Sequence, residues 1–119
     1  MFVDVIGRFI GDEKPLRLWW IDDGALVDYT SGYAFVARCA AIRDPSTIVF
    51  TKSSGFTGTA GSGTKTNGTP NLTLTFTAGT ELALPTIQPM RHKLQIVATH
   101  VADSVDITGV IFLDMQARI

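Results

Sequence analysis

The chain has 119 residues, a formal net charge of −1, 45% hydrophobic residues and 18% charged residues. That length fits a single domain, residues 1–119, able to bury a core without metal or disulfide support, and the hydrophobic share excludes a wholly disordered chain. Balanced charge with no basic block offers no cation cluster for phosphates or for an anionic bilayer, so nucleic acid and membrane are not expected partners.

The opening Met1-Phe2-Val3-Asp4-Val5-Ile6 lacks the basic region and apolar stretch of a secretory signal, so synthesis and folding in a cytoplasm are expected. Val3 and Val5 suggest a first strand. Leu16-Arg17-Leu18-Trp19-Trp20 alternates, which sets Leu16, Leu18 and Trp20 on one face. Asp22-Asp23-Gly24 then reads as a reversal, because glycine takes positive φ freely and aspartate tolerates it. Ser31-Gly32 punctuates the start of a strand in which Tyr33, Phe35, Ala37 and Cys39 point inward. Cys39 is therefore expected as a small buried hydrophobe rather than a nucleophile. Asp44-Pro45-Ser46 marks a further turn before the strand Thr47-Ile48-Val49-Phe50-Thr51.

Residues 53–70 break the pattern. They are almost entirely Gly, Ser, Thr, Asn and Lys, with Phe56 the one large apolar residue, and they read as an exposed loop or an extended hairpin tip. Alternation resumes in Leu72-Thr73-Leu74-Thr75-Phe76, with threonines on the opposite face from the apolar residues. Thr80 to Leu84 has room for one short helical turn, ended by Pro85. Leu94, Ile96 and Ala98 face inward on the next strand. Thr108-Gly109 precedes the last one, which runs to Ile119 and whose edge has to be paired inside the domain or against a neighbouring subunit. About seven antiparallel strands separated by turns point to an all-β sandwich or barrel.

Local chemistry is sparse. Gly58-Thr59-Ala60-Gly61-Ser62-Gly63 has the glycine spacing of a phosphate loop, but Thr64 stands where lysine is needed and no helix follows. His92 and His100 lie about 26 Å apart along one strand, too far to share a metal, and are expected at exposed or edge positions. Asp22, Asp23, Asp28, Asp103 and Asp106 belong with turns and loops rather than with facing catalytic carboxylates. The sequons at Asn67 and Asn71 are chance matches in a threonine-rich stretch. No cofactor, metal or catalytic residue is expected, and the chain is not expected to be an enzyme. Trp19 and Trp20 point to opposite faces of their strand. If Trp20 is core, Trp19 is an interface anchor unless both faces are covered within the domain.

One pattern goes beyond residue chemistry. Arg8-Phe9-Ile10-Gly11-Asp12, Pro15-Leu16, Asp22-Asp23-Gly24, Val27-Asp28-Tyr29-Thr30-Ser31-Gly32 and Phe35-Val36-Ala37-Arg38 together resemble the small immunoglobulin-like β-sandwich domains of tailed-bacteriophage structural proteins, in particular the N-terminal domain of upper baseplate proteins. Tyr29 stands where that pattern has leucine, and Ser31 is an extra residue before the glycine. The resemblance implies an antiparallel immunoglobulin-like sandwich in a virion, assembled in the host cytoplasm. It also implies protein–protein contacts with other virion proteins and with copies of itself, in a tail, tail tip or baseplate. A stand-alone subunit is expected, since the chain stops where the domain does. Capsid decoration, a head–tail protein and a carbohydrate-binding host-attachment module are the alternatives. The candidate protein-contact residues are Trp19, Phe56, Arg118 and Ile119.

Overall fold

The computed structural model describes residues 2–77 and 79–117. It holds twelve strands: β1 (Phe2–Phe9), β2 (Leu16–Leu18), β3 (Ile21–Asp22), β4 (Ala25–Leu26), β5 (Tyr33–Ala41), β6 (Ile48–Lys52), β7 (Phe56–Gly58), β8 (Ser62–Thr64), β9 (Asn67–Thr69), β10 (Leu72–Leu74), β11 (Arg91–His100) and β12 (Val105–Gln116). No helix occurs among the described residues. A five-stranded sheet runs β1-β12-β11-β5-β6, a three-stranded sheet runs β2-β10-β7, and β3-β4 and β8-β9 are separate hairpins.

Period-two alternation builds the core. On β11, His92, Leu94, Ile96 and Ala98 are buried while Arg91, Lys93 and Gln95 are exposed. Their partners extend the same face: Leu94 stands beside Cys39 and Ile111, and Ile96 beside Ala37 and Gly109. Leu16, Leu18, Leu72 and Leu74 from the small sheet belong to the same buried cluster, with Trp20 and Tyr29. Each fully buried leucine contributes about 1.5–3 kcal/mol, so these four alone outweigh any surface ion pair.

Each expected strand has a counterpart, the last ending at Gln116 with Arg118 and Ile119 outside the described residues, but about seven becomes twelve because short segments pair where glycine and turn residues looked like loop. The sheet is also mixed. β1 pairs parallel to β12, from Phe2 beside Gly109 to Phe9 beside Gln116, so an all-antiparallel arrangement is corrected. A tight hairpin can join only antiparallel strands, but segments from opposite ends of the chain carry no such restriction.

Asp23 and Gly24 form the two-residue loop between β3 and β4, both at positive φ (53° and 78°), as the Asp-Asp-Gly reversal predicts. Thr108-Gly109, in contrast, opens no strand: it lies inside β12. A Cβ on Gly109 would sit 2.8–3.1 Å from the Trp20 ring, so the glycine makes room for the indole. Residues 79–90 form hydrogen-bonded turns rather than a helical turn, and they drive Leu82 and Ile87 into the core.

Within residues 53–70, β7 joins the small sheet and β8-β9 forms a hairpin closed by Lys65-Thr66. Asn71, which follows it, is fully buried. Its Oδ1 accepts from the Trp20 N–H at 2.7 Å, and its Nδ2 donates to the carbonyls of Trp20 (2.8 Å) and Val27 (2.9 Å). The side chain thus supplies the ladder that the backbone lacks after β2, and it is closed to glycosylation.

Candidate functional site

The outer face of the five-stranded sheet exposes large apolar side chains on its two edge strands, while Val110 and Ala40 between them are buried. The opposite parity from the core defines this face. Val3, Val5 and Phe9 of β1 are about half exposed, and Ile48 on β6 is similar. Register aligns Val5 with Phe112, Lys93 and Ala40 in one row, and Val3 with Val110, Gln95 and Arg38 in the next. The face is therefore apolar toward β1 and cationic toward its middle. One ion pair organises the row beside Gly7: Arg91 Nη2 donates to Asp114 Oδ2 at 2.8 Å, and its guanidinium lies 5.7 Å from the Phe112 ring centroid. The same bond holds the Asp114 carboxyl below its usual range.

A concavity of about 460 Å³ lies where β5 meets β7 and is lined by Tyr29, Tyr33, Phe35 and Phe56 with the hydroxyl-bearing residues Thr30, Ser31, Ser53 and Ser54. Phe56 stacks on Phe35 at 5.2 Å, Phe35 lies 6.4 Å from Tyr33, and Tyr33 lies 5.1 Å from the His100 ring. Tyr29 meets Tyr33 and Phe35 edge-on from below. Burial, then the proximity of Tyr33 and Asp22, pushes its phenol well above the ordinary range. The cleft is polar at its rim and aromatic in its floor, a combination that takes a planar apolar face with hydroxyls around it.

The candidate contact residues fall in different places. Trp19 is only 8% exposed. Its Nε1 donates to the Ser62 carbonyl at 3.1 Å and the Arg17 guanidinium lies over its ring, so the β8-β9 hairpin and β2 cover it within the domain. That removes the expected free anchor: the glycine-rich segment, unreadable as a partner from alternation, folds back on it. Phe56 sits half-buried on β7, at the opposite edge of the small sheet from β2. Arg118 and Ile119 lie outside the described residues.

His92 corrects a further expectation. It is 1% exposed, with Nδ1 3.1 Å from the Met90 carbonyl, because it shares the inward parity of Leu94 and Ile96. His100 is half-buried and bonded to Asp103 Oδ1 at 2.9 Å. Burial pushes the Cys39 thiol up to about 12. Among the described residues no group of three or more His, Cys, Asp or Glu is placed to hold a metal ion.

The residues missed from the sequence are Val3, Val5 and Phe9. Alternation identifies them as one face of a strand, but not which face the second sheet covers. Comparison with protein-family models, with curated proteins and with solved structures finds no match for this chain.

Proposed function

We propose that this chain is a structural subunit that works by protein–protein contact, assembled with larger proteins in the virion of a tailed bacteriophage. The observation that carries the contact half is the run of exposed apolar side chains Val3, Val5 and Phe9 on the outer face of edge strand β1, with Ile48 exposed at the other edge. Large apolar side chains gathered on one face mark interaction sites. The virion half rests on the residue pattern of 8–38 alone; Asp23-Gly24 at positive φ and Asp28 Oδ1 accepting from both the Thr30 N–H and hydroxyl make those segments turns, as they would be in many β-proteins. In this reading the two sheets form an immunoglobulin-like sandwich whose larger sheet docks on its neighbour. Mass spectrometry of purified particles from the producing strain tests it. The chain is expected at fixed stoichiometry to a tail, baseplate or capsid protein, and its absence from particles refutes the reading.

A second reading is favoured by one observation, the aromatic cleft with its hydroxyl rim. Half-buried rings flanked by hydroxyls suit the apolar face of a sugar, as a host-attachment module requires. Glycan-array binding that disappears in Tyr33→Ala supports it, and binding unchanged in that variant counts against it.

A further inference from the structure

The free edge of the large sheet has a self-complementary sequence. β1 stands at the end of that sheet with β12 as its one strand neighbour among the described residues. Ile10 donates its N–H to the Gln116 carbonyl, one step beyond the last paired residue. The two-residue repeat then turns the backbone groups of even-numbered residues toward β12 and those of Val3, Val5, Gly7 and Phe9 toward the open edge. Two other bonds agree. The Val5 N–H is taken by its neighbour's carboxylate, Asp4 Oδ1, and the Phe9 carbonyl accepts from the Asp12 N–H, so neither is in the ladder.

Natural sheets blunt such edges with lysine, proline, bulges or short strands. The opposite edge does: β6 is five residues long and the β5-β6 register slips at Cys39/Ala40. β1 carries none of these four over its eight residues; its one guard is the pair of charges Asp4 and Arg8 on the core-side parity of Phe2 and Ile6, which penalise a foreign strand but not one that answers them with opposite charges. It reads Val3-Asp4-Val5-Ile6-Gly7-Arg8-Phe9, with apolar ends, opposite charges one step in, and Ile6 in the middle.

We infer that the β1 edge pairs with the β1 edge of a second copy, antiparallel across a twofold axis at Ile6, joining two five-stranded sheets into one. This inference rests on the protein-contact reading above and names its partner. In that register Asp4 faces Arg8 of the second copy and Arg8 faces its Asp4. Val3 faces Phe9, Val5 faces Gly7, and with the Phe9 carbonyls kept by Asp12 the open backbone groups supply about six hydrogen bonds. Centring the axis on Val5 or Gly7 instead sets each charge against an apolar side chain, so charge complementarity selects Ile6. The contact is isologous and closes on itself, as a stable dimer requires. Arg8 Nη1 and Nη2 each donate one N–H to the Lys14 and Pro15 carbonyls of their own chain, which holds the guanidinium in place and leaves further N–H groups for the second copy's Asp4; since Asp4 already holds Lys65, the contact would complete a cluster of one carboxylate between two cations. As Asp4 turns to it, the Val5 N–H is released to the new strand.

Sedimentation and light scattering across a concentration series test this on the full chain. A dimer is expected, weakened by about 100-fold in Val5→Lys, which sets a charge on the apolar edge, and in Val5→Pro, which removes an edge-facing donor while leaving the β12 ladder intact. Asp4→Arg alone weakens it similarly, and Asp4→Arg with Arg8→Asp restores it. Circular dichroism confirms that each variant is folded, and Val5→Lys stands in if the proline variant is not. A wild-type monomer at about 1 mM, or a dimer indifferent to Val5→Lys and to charge reversal, overturns the inference. Either result leaves the particle test of the assembly reading intact, and absence from particles leaves the dimer intact, so the two failures are separable.

Discussion

Asn71 offers the sharpest test of how this fold is held together. Replacing it with alanine removes three hydrogen bonds at a site with no exposure and strands the Trp20 N–H and the Val27 carbonyl, while the Trp20 carbonyl keeps the Val27 N–H as a donor. A net hydrogen bond contributes about 1 kcal/mol, but a buried group left unpaired costs about 1–3 kcal/mol. The Trp20 N–H is buried and takes the upper part of that range, Val27 is partly buried and takes the lower, and the Trp20 carbonyl loses only one of its two bonds. The expected loss is about 3–4 kcal/mol, a large part of the roughly 5–15 kcal/mol available to a domain. Urea unfolding followed by tryptophan fluorescence should then show a midpoint lowered by about 2–4 M. Asn71→Asp keeps the acceptor for the Trp20 N–H but aims a carboxylate at two carbonyls. It should be the less stable variant at pH 7 and recover part of the difference toward pH 4, where the protonated carboxyl donates again. A loss below about 1 kcal/mol in Asn71→Ala would refute the claim that this side chain replaces missing ladder bonds.

Three further outcomes follow from the core. Gly109→Val drives its side chain into the Trp20 ring and should cost at least about 1–3 kcal/mol, with an altered near-ultraviolet tryptophan signal; an unchanged signal and stability would contradict the close approach. Burial lowers the His92 pKa, with the Met90 bond opposing it, so the unfolded chain binds the proton more readily. That stability is present above the ordinary histidine value of about 6.5 and is lost as pH falls through the folded value, so wild type should lose more than His92→Phe between pH 7 and pH 5 in urea titrations. Equal losses would place His92 in solvent. Cys39, its thiol pushed up to about 12 by burial, should not react with a thiol reagent at pH 8 in the native protein and should titrate as one equivalent in urea; fast native labelling would refute its burial.

The sequence by itself determined which residues face together. Alternation over 33–39, 72–76 and 93–99 marks the inward set of three strands, and Asp23-Gly24 marks a hairpin loop, because side-chain direction and turn φ are properties of a few consecutive residues. Only the tertiary structure decided what covers each face. The pairing of β1 with β12 joins residues about 107 apart in the chain. The hairpin over Trp19 comes from a segment with no hydrophobic pattern, and the satisfied burial of Asn71 depends on two strand ends meeting. None of these is encoded in a local period. The candidate contact face shares that division: Val3 and Val5 are legible as one side of a strand, while their exposure at a free edge follows from a parallel neighbour that only the folded chain supplies. Trp19 shows the converse, an anchor by composition that long-range folding buries, since exposure belongs to the assembled layers and not to the residue.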